Sequence, residues 1–210
     1  MKIENIYPTP IGEYEFENFK ELNEGLVNFI YEMRNSDTNN TNQYSMAGPH
    51  GYHTNFELIE SDNKFVREFH KKITEQIIKY YSHIMEGHVM GDNTRLVSWG
   101  MIYGPGDYSK VHTHPKADIS TTYYVKVPNN MLDDQTDSNT IPGSFYHLDP
   151  RPACRWDINF ADNTEMPTTA KEGTGYIFPG WLEHYVTPHY VKGDRICIST
   201  NIFADHKDRI

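Results

Sequence analysis

Two histidines separated by one residue, His112 and His114, are the pair in this sequence best spaced to hold a metal ion. On an extended strand, residues two apart project from the same face, so both imidazoles can reach one ion. Imidazole suits iron, zinc, copper or nickel, so the pair alone leaves the metal open. His-x-His also arises by chance on solvated strands, and context decides its weight. The pair stands between a Gly/Pro turn, YGPGDYSKV, and a strongly strand-forming run, ISTTYYVKVP, at the entrance of a strand. Downstream, Tyr176–Ile177–Phe178 ends at Pro179–Gly180, and His184 follows on the next strand. Arg195 then opens a further strand, in alternating register with Cys197 and Ser199.

The other histidines carry less. His50, His53, His70, His83, His88 and His206 are scattered without a partner at ligand spacing, and a lone histidine is ordinarily exposed or bonded to backbone. His147, near Asp149 and Arg151, and His189 could touch a substrate but read better as structural or surface groups. Asp149 and Arg151 read as a salt bridge at the barrel rim. Trp99, Trp156 and Trp181 could wall a pocket, with a core role the stronger expectation.

These residues need elements to position them. From Phe19, apolar Leu22, Leu26, Ile30 and Met33 define one helical face. A second helix starts near Ser61 or Asp62, either able to cap it, and carries Phe65, Phe69, Ile73, Ile77 and Ile84 on one stripe. The polar stretch 35–45 between them is a surface loop. Beyond residue 94, short runs rich in Val, Ile, Tyr and Thr alternate with turn residues. They predict strands near 95–103, 119–128, 143–148, 155–161, 174–179, 183–188 and 194–203. Many short strands without intervening helices indicate an antiparallel sandwich or barrel. The acidic stretch 129–143 lacks the spacing of a calcium-binding loop and reads as solvated turn.

Composition narrows the partners. A net charge of −10 with no Lys/Arg cluster argues against a broad basic nucleic-acid face. No apolar run approaches the ~20 residues of a membrane span, and MKIENIYPTP lacks the apolar core of a signal peptide, so a soluble, cytoplasmic protein is expected. Cys154 and Cys197 read as reduced, buried side chains. A homodimer, the commonest soluble arrangement, is the default assembly.

The ordered set of His-x-His, a distal His and a following Arg resembles the iron(II)/2-oxoglutarate-dependent oxygenases. The resemblance is closest to the 2-oxoglutarate–Fe(II) oxygenases of marine bacteria and their phages. IYPTPIGEY is similar to that family's opening. GYHTNF at 51–56, GDYSKVHTHPKADISTTYYVKVP at 106–128, FPGWLEHYVTP at 178–188 and RICISTNIF are similar to its later blocks. The blocks run in order from near residue 6 to 203.

The resemblance implies a mainly β fold with flanking α, a double-stranded β-helix (a cupin-like jelly roll) with an amino-terminal helical buttress. Residues 1–210 would form one oxygenase-like domain, with the buttress over about 17–86 and the jelly-roll core over about 94–204. It implies Fe(II) as cofactor and 2-oxoglutarate as co-substrate, decarboxylated to succinate while a small-molecule or peptide substrate is hydroxylated; a phage-encoded enzyme would act in the host cytoplasm. His112 and His184 would be metal ligands, and Arg195 would bind the distal carboxylate, for which a planar, always-charged guanidinium is apt. Ser199, on the same face as Arg195, could add a hydroxyl; Tyr103 and Tyr123 are further candidates for that task.

One departure matters. Most of the superfamily holds iron with two His and one carboxylate, whereas the second position here is His114. Either His114 replaces the carboxylate, as three-His sites do in thiol dioxygenases, or Asp118 supplies one from the loop, or His114 faces away and leaves an open position. The first is favoured, since i, i+2 geometry delivers His114 without distortion. Three neutral imidazoles would leave the metal one charge more positive. Two other readings stand beside this one: a cupin-like binding protein without oxygenase activity, and a three-His dioxygenase that does not use 2-oxoglutarate.

Overall fold

The structure, a computed structural model, describes residues 1–2, 7–37, 48, 50–137, 139–151 and 165–205. The expected strand over 155–161, Cys154, Trp156, His206 and most of the 35–45 loop lie outside them.

Two helices form where the apolar periodicity places them. α1 runs Phe19–Ser36 and buries Leu22, Leu26 and Ile30 on one face. α2 runs Lys64–Ile84 and buries Val66, Phe69, Ile73, Ile77, Tyr80 and Tyr81. Its cap is Asn63 rather than Ser61 or Asp62: the Asn63 Oδ1 accepts from the N–H groups of Phe65 (2.9 Å) and Val66 (3.4 Å). Ser61 sits two residues before it, its hydroxyl accepting from the N–H of Asn63. The helices approach closely at Gly25, where a Cβ would stand 2.2 Å from the Phe65 ring.

Ten strands follow the chain: β1 Gly12–Glu15, β2 Tyr52–His53, β3 Arg95–Tyr103, β4 Ser109–His112, β5 Ile119–Lys126, β6 Phe145–Leu148, β7 Glu165–Thr168, β8 Thr174–Pro179, β9 His184–Val186 and β10 Arg195–Phe203. Among the described residues they form two antiparallel sheets, in the orders β1-β8-β5-β10-β3-β2 and β4-β9-β6-β7. This is the jelly roll expected from the sequence. Four of the strands, β1, β2, β4 and β7, are absent from the sequence expectation, and each is an edge of its sheet.

Alternation along the larger sheet makes two cores. On β10, Ile196, Ile198 and Ile202 face the helices and join Leu26, Ile30, Phe69, Ile73 and Ile77. Each such fully buried side chain contributes on the order of 1.5–3 kcal/mol. Between the sheets lies the second core, with Trp99, Met101, Tyr103, Tyr124, Phe145, Phe178 and Cys197. β5 is buried on both faces because helices cover one side and the smaller sheet the other. The helices therefore brace one wall, leaving the inter-sheet space to the polar residues of β10. No helix among the described residues is long and apolar enough to cross a membrane.

Candidate metal centre

His112 ends β4 and His184 begins β9, and the two are directly opposed in that antiparallel pair. Their ring centroids are 4.3 Å apart. Each ring is oriented by its own backbone. The Nδ1–H of His112 donates to the carbonyl of Lys110 (2.7 Å), and that of His184 to the carbonyl of Leu182 (2.8 Å). With Nδ1 carrying the proton, each Nε2 presents a lone pair to the pocket, the arrangement a metal-ligating imidazole requires.

His114 reaches the same point by a different route from the one expected. It lies past the end of β4, so i, i+2 projection along one strand does not place it. A docked loop does. The N–H of His114 donates to the carbonyl of Gly180 (2.8 Å), and the N–H of Gly180 returns to the carbonyl of Asp118 (3.1 Å). A Cβ on Gly180 would stand 2.3 Å from the Ala117 oxygen, so this approach needs glycine. The result is a His114 Nε2 3.1 Å from the Nε2 of His184. Ligand atoms of all three histidines lie within 4.8 Å of one another. Adjacent octahedral ligands at about 2.1 Å from a metal are about 3.0 Å apart, the spacing of the His114–His184 pair, and His112 stands beside them as a third donor able to close on the same ion.

Asp118 does not join them. It is exposed, and its Oδ2 accepts from the N–H of Ala204 at 2.9 Å. It is an anchor of the loop that carries His114.

The imidazoles are held in the neutral, metal-binding form. Burial lowers the pKa of His114 to about 3, with His112 nearby adding to the effect. Burial likewise lowers His112, against its bond to Lys110, and pushes His184 well below its usual value. The His184 ring packs on Phe145 and Phe178, with centroids at 4.7 and 5.0 Å.

The same pocket reaches Arg195. This guanidinium is 1% exposed and lies 4.4 Å above the ring of Tyr103, its cross-strand partner on β3. Among the described residues its Nε and Nη2 have no hydrogen-bond partner, and the buried Ser109 Oγ and Tyr124 Oη also lack one of good geometry. A buried cation with unused donors is costly unless an anion meets it, so these orphaned groups fit a carboxylate. Ser199 lines the pocket as expected. Tyr123 is corrected: it opposes Ile198, shares the helix-facing side, and donates its hydroxyl to Asn23 Oδ1 at 2.8 Å. Tyr124, one residue on, is the tyrosine beside Arg195, with its ring 5.8 Å from the guanidinium.

Several residues passed over in the sequence belong here. His53 stacks on Trp99 at 5.7 Å, Phe56 meets both rings edge-on, and all three line the pocket beside His114. Their signal was the GYHTNF block, which names His53 and Phe56. His147 is buried directly opposite His184 across β6 and β9, and His189 is buried beside Arg195, so neither is a surface group. Trp181 is 55% exposed, and the Asp149–Arg151 ion pair is an exposed surface contact.

A jelly roll whose inter-sheet pocket joins a cluster of imidazoles to a buried arginine has the form of a mononuclear non-haem iron oxygenase. Residues 97–201, half of the chain, match the sequence profile of the family described as "Putative 2OG-Fe(II) oxygenase", and the chain belongs to that family. Comparison with curated proteins gives no match. Among solved structures, a prolyl-4-hydroxylase from Pseudomonas putida is similar with a TM-score of 0.64 at 12% identity, over 92% of each chain. HygX from Streptomyces hygroscopicus, with nickel and 2-oxoglutarate bound, gives 0.62 at 11% identity over 95% of this chain and 84% of its own. A prolyl hydroxylase from Trichoplax adhaerens, in complex with a hypoxia-inducible-factor peptide fragment, gives 0.62 at 10% identity over 92% and 83%. At these identities the likeness speaks to the fold.

Proposed function

We propose that residues 1–210 act as one Fe(II)/2-oxoglutarate-dependent dioxygenase domain, with His112, His114 and His184 holding the iron and Arg195 binding the distal carboxylate of 2-oxoglutarate. The reaction is hydroxylation of an organic substrate, coupled to decarboxylation of 2-oxoglutarate to succinate. The observation that carries this reading is the pairing, in one pocket, of three converging imidazoles with a buried guanidinium that has no anionic partner among the described residues.

When bound, the iron and co-substrate supply the oxidising chemistry. The chain supplies position and exclusion of water. Lys110 and Leu182 carbonyls fix two imidazoles in the ligating tautomer, and the Gly180 dock holds the third. Arg195, braced by the Tyr103 ring, offers Nε and Nη2 as a fork for a carboxylate. Phe145, Phe178 and Trp99 form apolar walls that keep water from the reacting centre. A three-His dioxygenase that dispenses with 2-oxoglutarate would leave Arg195 without purpose, which favours the present reading.

Anaerobic titration of metal-free protein with Fe(II) and 2-oxoglutarate tests it. A visible charge-transfer band that needs both additions, and succinate on admission of air, are expected. Absence of both would sink the proposal and leave a binding protein. Oxygen uptake that depends on a thiol and ignores 2-oxoglutarate would replace it with the three-His alternative.

A further inference from the structure

We infer that the pocket admits, beside 2-oxoglutarate, an apolar substrate bearing one carboxylate, which is drawn to the open side of the metal and held by Asn201. The inference rests on the metal and co-substrate assignments just made and names the substrate class they left open.

The argument is a count of charge. A metal held by two histidines and a carboxylate has one protein anion against it. Here the donor set is three imidazoles, neutral whenever they ligate. A divalent ion brings two positive charges. The chelating carboxylate of 2-oxoglutarate offsets one, and its far carboxylate is matched by Arg195. One positive charge would then remain on the metal. Among the described residues that line the pocket there is no Asp or Glu, and Arg195 is their only side chain with a permanent charge. Asp107, buried near Tyr103, is not among them, and each of its oxygens is taken by a backbone N–H, of Gly104 or of His50. Among the described residues the pocket therefore has no anion of its own to complete the site, and in a low-dielectric pocket that deficit is strongly felt.

Geometry supplies a holder. Asn201 and Ser120 are cross-strand partners on β10 and β5, and both line the pocket. The Ser120 hydroxyl donates to Asn201 Oδ1 at 3.0 Å, which leaves the Nδ2 donor end for a guest. A donor-only end lining the same pocket as the three imidazoles suits a carboxylate. Along the same sheet the lining continues over Trp99 and His53, with Phe56 packed on both; Phe56 is half exposed, so this apolar side reaches the surface. A cationic substrate would find no counter-charge there.

The test uses intact protein loaded anaerobically with Co(II) and 2-oxoglutarate. The probes are 3-methylbutanoate and its neutral isostere 3-methylbutanamide, followed by Co(II) visible absorption and by melting temperature. Half-saturation by the carboxylate is expected at a concentration about ten-fold below that of the amide. Asn201→Leu should raise the carboxylate's half-saturation about five-fold without altering the Co(II)–2-oxoglutarate spectrum, and His114→Asp should erase the preference by restoring the missing anion. Equal response to the two probes in the parent protein overturns the inference, and so does a preference that survives His114→Asp. A carboxylate response seen only without 2-oxoglutarate also overturns it, because the probe is then standing in the co-substrate's place. Failure of Co(II) or 2-oxoglutarate to bind at all is a separate result that overturns the parent proposal with it.

Discussion

The N–H of His114 donates to the carbonyl of Gly180 across 2.8 Å, joining a metal-ligand candidate to the turn that precedes His184. The contact works because Gly180 has no side chain: a Cβ there would stand 2.3 Å from the Ala117 carbonyl oxygen. Gly180→Ala should push the 114–118 loop outward and withdraw one imidazole of three. The fold rests on other contacts, so far-UV circular dichroism should be unchanged. Co(II) affinity should fall about 10- to 100-fold, the range in which ligand-supporting groups act, as read by competition with a chromophoric chelator.

Arg195 stabilises a bound anion at the expense of the empty protein. Its guanidinium is fully buried, and two of its nitrogens lack partners. Arg195→Met keeps the volume and removes the stranded charge, so the ligand-free protein should gain about 1–4 kcal/mol, seen as a melting point higher by several degrees. The same variant should lose the stabilisation that 2-oxoglutarate confers on the parent, and its KM for 2-oxoglutarate should rise about 100-fold. A melting point that falls would show that the cation has a partner in solution.

The sequence was most legible where burial is two-sided or strictly one-sided. β3, β8 and β10 agree with expectation to within a residue, as does the face of α1 bearing Leu22, Leu26 and Ile30, because the apolar period there is dictated by a continuous core. The strands missed are edge strands, which have one neighbour and little to bury. β7 even carries Pro167, tolerable only at an edge or bulge. β4, which ends at His112, is among them: the sequence reading places a turn over its 109–111 stretch and the His pair at the entrance of the following strand. Tyr123 is named from the sequence and Tyr124 is not for a related reason: a strand buried on both faces has no polar alternation to tell inside from outside. Arg195, Cys197 and Ser199 were assigned to one face correctly, since the isoleucines between them mark the other.

Buried neutral histidines make the metal-free protein acid-sensitive. Burial lowers His53 and His147 to about 4 and His114 to about 3, against 6.5 for an ordinary histidine. Above pH 6.5 both folded and unfolded chains hold these rings neutral, and their contribution is constant. As pH falls below that, the unfolded chain takes up protons that the folded chain refuses, so stability declines until the folded values are reached. Each ring should withdraw about 1 kcal/mol between pH 6 and pH 5, or about 3 kcal/mol for the three. Urea melts in the presence of chelator should show this slope, well above the range in which carboxylates titrate. A flat profile from pH 7 to pH 5 would mean that the rings are solvated or already charged.

Asp118 separates the two ways of completing the metal site. Its carboxylate accepts from the N–H of Ala204, its own N–H donates to Ile202, and its carbonyl accepts from Gly180, so it fastens the loop between His114 and β5. Asparagine retains an acceptor for Ala204, and Asp118→Asn should therefore bind one Co(II) per chain with affinity within about two-fold of the parent. Asp118→Ala removes the acceptor and should cost about 1 kcal/mol of stability while keeping the same stoichiometry. His114→Ala takes away an imidazole and should lower Co(II) affinity far more than either change. Were Asp118→Asn instead the damaging substitution and His114→Ala the mild one, the site would be two histidines and a carboxylate. The charge deficit at its open side would then vanish as well.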